Sequence, residues 1–189
     1  GAILTVGLAT MLALGTRGWP VAARIASLGY ATPGAVMAIG LLAPAGLIWN
    51  LAPGSGMAIA ILLLLFAYAA RLMAAALEPI DAGMARVTPS MRHAARTLGR
   101  GETGAAFAVD LPVARGALLT ALLIIFIDVL KELPATLILR PFNFDTLAVI
   151  ANNYALDERL GQAGLPSLLV VAISLPAVIW LTRRIATAR

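Results

Sequence analysis

Three groups of residues in this 189-residue chain have the types and spacing to do chemistry. The first is Asp128, Lys131 and Glu132, at the end of a long apolar run. Lys131 is three residues from Asp128 and Glu132 is four, a spacing that lets all three share one side of a helix. Ionisable groups at membrane depth are costly, and they pair with one another or face a cavity. Two readings stand side by side: a local ion pair at an interface, or a lining for a solute path that would suit a cation in transit. The second group is Gly99-Arg-Gly-Glu-Thr-Gly104, which spells G-x-G-x-x-G. That pattern cradles a dinucleotide only where it follows a strand and opens a helix. The segments around it are helical and apolar, so the dinucleotide reading is set aside. The third is His93, the one histidine of the chain. Metal sites need several ligands, so His93 reads as an exposed or interface residue, or more sharply as a contact to a partner. Tyr154, Asp145, Asp157 and Glu158 offer the oxygen donors that hard cations prefer. Turn capping explains Asp145 and Asp157 as well, and no resident metal or cofactor is expected. No G-x-x-x-x-G-K-[ST] occurs in the sequence. ATP chemistry, if any, is therefore expected from another subunit.

The elements that carry these groups follow from composition. The chain is 61% hydrophobic and only 12% charged, with mean hydropathy +0.93. A soluble domain is roughly half apolar and about a quarter charged, so the excess apolar surface must face a bilayer. Net charge is +5, but the basic residues lie between apolar runs and are not interleaved with stacking aromatics. That argues against nucleic acid and for membrane topology. There are no cysteines, which excludes disulfides and thiolate metal sites. The chain opens with Gly and is apolar at once, which reads as a piece of a longer polypeptide rather than a signal peptide.

About 20 mostly apolar residues cross the hydrocarbon core as a helix. Five segments approach that: 1–15, 30–52, 57–77, 113–130 and 165–182. Their Ala, Gly and Leu content suits close helix packing. The expected fold is all-α, a polytopic membrane helix bundle of about five spans in one domain, 1–189. Eleven of the 14 Lys and Arg residues fall on one side of this arrangement: Arg17, Arg24, Arg71, Arg86, Arg92, Arg96, Arg100, Arg115, Arg183, Arg184 and Arg189. Only Lys131, Arg140 and Arg159 fall on the other. Positive residues stay inside, so the loop 78–112 and the C-terminus are expected to be cytoplasmic, and the loop 131–164 external. Arg71 lies within a span and either snorkels to the cytoplasmic face or pairs inside the bundle.

Two connections carry further signals. In the inner loop, Ser90 is placed to cap a helix over MRHAARTLG and Gly99 to end it. Met91, Ala94, Ala95 and Leu98 then form a narrow apolar face, the mark of a helix that docks on a partner. In the outer loop, Asp145 is placed to cap a helix over TLAVIANNYAL, with Leu147, Ile150, Ala151 and Tyr154 on one side. Asp157 is placed to cap the turn into the last span.

The inner loop resembles the EAA loop of permease subunits of ATP-binding-cassette importers. The pattern there is E-A-A, three residues, G, nine residues, I, one residue, L-P. Ala94, Ala95 and Gly99 match, and after nine residues come Val109, Asp110, Leu111 and Pro112, with His93 in place of the leading Glu. The resemblance implies the fold of a type I importer permease and a coupling helix seated in a cytoplasmic ATPase. His93, Ala94, Ala95 and Gly99 would carry the coupling, with Leu111 and Pro112 fixing the return to the fourth span. It also implies an ATPase dimer, a periplasmic or extracellular solute-binding protein and a second permease half as partners, in the lipid of the inner membrane. LGYATPGAVMAIGLL (Leu28 to Leu42) and DVLKELPATLILRPFNFDTLAV (Asp128 to Val149), continued by ANNYALDERLGQAGLPSLLVV, look like segments of ferric-iron importer permeases, with this chain as the second half of such a protein. The implied function is half of a translocation pathway for ferric iron, not an enzyme by itself. Alternatives are a permease for another small solute such as thiamine, a passive channel or scaffold bundle, or a membrane-embedded enzyme.

Overall fold

A computed structural model of the chain describes residues 1–15, 21, 25, 28–51 and 54–187. Arg17, Arg24 and Arg189, three of the basic residues behind the expected orientation, lie outside them. Among the described residues every regular element is helical. The helices are α1 (Ala2–Gly15), α2 (Gly34–Leu51), α3 (Gly56–Met84) and α4 (Pro89–Thr97). They continue with α5 (Glu102–Leu130), α6 (Pro134–Leu139), α7 (Leu147–Leu156) and α8 (Leu160–Thr187). A 3-10 turn, Leu28–Ala31, precedes α2.

Helices α3, α5 and α8 are long and apolar enough to cross a bilayer. Of the five expected spans, the first two, α1 and α2, are apolar but shorter. The inner connection is also shorter than 78–112. Helix α3 runs on to Met84 and α5 already begins at Glu102, so both long helices project past the expected boundaries.

Helices α3 and α5 run antiparallel, as three contacts spaced along them show. Gly83 near the end of α3 meets Ala114 and Ala117, Arg71 pairs with Glu132 just beyond α5, and Tyr68 bonds to Thr136 on α6. The crossing at Gly83 is tight: a Cβ there would lie 2.3 Å from the Ala117 methyl. With no hydrophobic drive between helices in lipid, such small-residue contacts supply dispersion packing instead. Two buried apolar clusters result. One joins α1, α3 and α5 through Val6, Ala9, Leu72, Ile80, Ala121 and Ile125. The other joins α2, α3 and α6 through Ala38, Leu64, Ala67, Ala135 and Leu139.

Since Gly83 meets Ala114 and Ala117, the part of α5 before Ala114 extends past the end of α3. Helix α4 packs chiefly against those first turns of α5. The two form an elbow at that end of the bundle. At the opposite end of α5 the chain breaks at Lys131–Leu133, and α6 resumes alongside α2 and α3.

Candidate functional site

The elbow is built from short-range signals. Thr88 in extended backbone and Pro89 at the first helical position start α4, because proline has no N–H to lose there and its fixed φ suits the first turn. Ser90 is therefore inside the helix rather than its cap, and its hydroxyl lies 2.9 Å from that of Thr88. The other end is as expected. Gly99 takes φ +76°, its N–H bonds to the Arg96 carbonyl at 2.9 Å, and the Arg100 N–H reaches the Ala95 carbonyl at 3.1 Å. This is a Schellman closure, which needs a left-handed residue and so favours glycine.

The four residues expected on the apolar face divide. Ala95 is buried, while Met91, Ala94 and Leu98 are exposed, Leu98 to 80%. His93 is exposed too. The buried apolar contact of α4 is thus one small residue, and the rest of its apolar side is exposed.

The fastening between the two is charged. Asp110, only 1% exposed, accepts two hydrogen bonds from Arg92, one from Nε to Oδ1 at 3.0 Å and one from Nη2 to Oδ2. Paired N–H groups on paired carboxylate oxygens fix direction as well as distance. Arg96 and Glu102 add an exposed ion pair across the same turn. Asp110 is turned inward by a π-helical stretch, Ala106–Asp110, inside α5. Leu111 and Pro112 follow it directly. They do not open the membrane helix as expected but lie within it. An interior proline clashes with the carbonyl four residues back and cannot bond to it, and a wider π turn just before it relieves both problems.

The second polar site is the break after α5. The three charges expected on one side of a helix separate because the helix ends at Leu130. Lys131 folds back on Asp128 at 2.9 Å near the surface, whereas Glu132 turns inward and pairs with Arg71. Arg71 therefore pairs inside the bundle and does not snorkel. It lies about 22 Å along α3 from Gly56 and about 20 Å from Met84, at a rise of about 1.5 Å per residue, in the middle third of the helix. The Glu132 carboxylate also faces the Ala135 N–H at 3.4 Å, at the start of α6. Thr136 Oγ1 donates to the Glu132 carbonyl at 2.9 Å. That uses its one hydrogen, so in the 2.6 Å contact between Tyr68 and Thr136 the phenol is the donor. The backbone of Gly34 comes so close that a Cβ would lie 2.9 Å from Glu132 Oε1 and 3.0 Å from Arg71 Nη1. Along α3, Arg71 lies between Tyr68 of one apolar cluster and Leu72 of the other.

The outer residues take local roles. Thr146, not Asp145, caps α7 by accepting from the Val149 N–H at 3.4 Å; Asp145 pairs with Arg140. Asp157 ends α7 instead of opening α8. Glu158 follows at φ +59°, and the Arg159 N–H closes the turn on the Tyr154 carbonyl at 2.8 Å. Arg159 also lies 5.2 Å from the centre of the Tyr154 ring. Leu147, Ile150 and Tyr154 line, with Gln162, Leu165 and Leu169, an apolar cavity of about 470 Å³ between α7 and α8. Among the described residues no three His, Asp or Glu side chains converge to hold a metal ion.

Sequence reasoning did not find the Arg92–Asp110 and Arg71–Glu132 pairs. The available signal was the rule that an ionisable residue inside an apolar run must have a partner; Arg71 raised that question without answering it. No family model matches this chain, and no curated protein matches it.

Proposed function

We propose that this chain is the permease component of an ATP-binding-cassette importer, forming half of a solute path in the inner membrane and taking its drive from a separate ATPase. The observation that carries this reading is α4. It is a nine-residue helix hung between two membrane-length helices, with Met91, Ala94 and Leu98 facing outward. An apolar helix face of this size is a docking surface, and its motif spacing resembles that of the EAA loop. On this reading the α4 elbow and the C-terminus are cytoplasmic, and His93 sits at the rim of the ATPase contact. The outer segment between α6 and Tyr154 meets a solute-binding protein, and ferric iron is the cargo, after the resemblance of the segments around Leu28 to Leu42 and Asp128 to Val149.

The test uses the complete permease with its ATPase in proteoliposomes. Ala94→Trp places a large side chain on the exposed face without entering the buried Ala95 contact. Binding of the ATPase and ATP-driven uptake of ferric ion delivered by the binding protein are expected to fall at least tenfold, with membrane insertion unchanged. Normal uptake by this variant contradicts the docking role. ATP-driven uptake of another solute, with no response to iron, removes iron and leaves the permease.

A further inference from the structure

Helix α5 is held by a buried carboxylate–arginine pair at each end. Near its start Asp110 grips Arg92 of α4 through two parallel hydrogen bonds. Just past its other end Glu132 grips Arg71 of α3. Between Leu111 and Leu130 the helix is unbroken. A rod of 20 residues is about 30 Å long, and a displacement applied where one end is fastened is carried to the other. The apolar contact between α4 and α5 is slight, since Ala95 is the one α4 residue that is buried. A single alanine methyl lets one helix slide on another, whereas a two-bond guanidinium–carboxylate pair fixes their relative angle.

We propose that Arg92 and Asp110 are the positioning residues that pass movement of α4 to the membrane helix α5. Their pair is the joint of the elbow, and the π-helical turn Ala106–Asp110 is the feature that aims the carboxylate at it. This assignment rests on the permease reading, in which α4 is the part that the partner moves. It goes further in naming the residues that carry the movement inward. They are distinct from the docking face: Arg92 points from α4 to Asp110 on α5, whereas Met91, Ala94 and Leu98 are exposed.

The experiment uses the complete permease bound to its ATPase in proteoliposomes. Spin labels are attached at Phe66→Cys on α3 and Phe126→Cys on α5, both exposed and in a chain with no cysteine of its own. The label distance is read with and without ATP. The backgrounds are the parent, Arg92→Gln, Asp110→Asn, and the exchanged pair Arg92→Asp with Asp110→Arg. In both single variants the ATPase is expected to bind and hydrolyse ATP as before, while the ATP-driven distance change falls at least fivefold. The exchanged pair is expected to restore at least half of it. Arg92→Lys, which keeps the charge and gives up the two-bond geometry, is expected to lie between parent and Arg92→Gln, and it supplies the comparison if a neutral variant fails to fold. A full distance change in Asp110→Asn overturns the proposal, and so does an exchanged pair no better than the single variants. A parent complex with no ATP-driven change, or one that captures no ATPase, overturns the permease reading instead, so the two failures are told apart.

Discussion

Arg71 and Glu132 have side-chain exposures of 28% and 9% and meet in the middle of a helix long enough to cross a bilayer. Removing either one strands the other's charge in apolar surroundings, and breaking a buried pair in this way costs about 3 kcal/mol or more. Arg71→Ala is therefore expected to lower thermal stability in detergent sharply. Arg71→Met combined with Glu132→Leu replaces both charges by apolar groups of similar reach and is expected to recover most of that loss. Thermal unfolding of the three proteins checks this; equal melting of Arg71→Ala and the parent means the pair contributes nothing. Tyr68→Phe is a milder change. It removes one hydrogen bond, but Thr136 keeps the Glu132 carbonyl as acceptor. A loss of about 1 kcal/mol or less is expected in the same assay. The gap between these two effects separates a charge with no alternative from a hydroxyl that retains one.

At the scale of the element, α4 depends on how it ends. A Cβ at Gly99 would meet nothing within 4 Å, so the cost of Gly99→Ala is purely that of holding alanine at φ +76°, about 1–2 kcal/mol. Faster amide exchange over 96–100 is expected and, on the permease reading, uptake reduced but present. Gly99→Pro fixes φ near −65° and deletes the N–H that bonds to Arg96. On the permease reading, uptake is expected to vanish while the protein still inserts. Wild-type exchange rates in Gly99→Ala would show that the closure is not limiting. This end of α4 was legible in the sequence because glycine has one strong reason to follow a helix. The other end was not, since Thr88, Pro89 and Ser90 all signal a start and only their backbone decides among them. Thr146 takes the cap expected of Asp145, whose carboxylate pairs with Arg140. The helical class and the long apolar helices were legible from composition and run length. The π turn was not, because one added residue in Ala106–Asp110 barely disturbs an apolar pattern. Arg71–Glu132, 61 residues apart, and Arg92–Asp110 join elements whose neighbours no local periodicity identifies.

For the whole molecule, the decisive quantity is which ends of α5 lie on which side of the membrane. The antiparallel contacts of α3 and α5 put the α4 elbow at one end of the bundle and the turn at Phe142 at the other, beside Met57 at the start of α3. The basic residues predict that the elbow end is inside. Of the eleven residues in that count, Arg17, Arg24 and Arg189 lie outside the described residues. Arg71 leaves it, since it is neutralised at mid-helix and belongs to neither face. The orientation expected from the basic residues can be measured directly, because this sequence holds no cysteine. Thr97→Cys and Phe142→Cys both place a thiol on exposed positions. In intact spheroplasts a membrane-impermeant maleimide is expected to label position 142 and to reach position 97 only after permeabilisation. Labelling of both from the same side would mean that α5 does not cross, and labelling in the reverse sense would put α4 beyond the reach of any cytoplasmic ATPase. On the permease reading α4 works only on the side that holds the ATPase, so this topology measurement bears on the proposed function before any solute is identified.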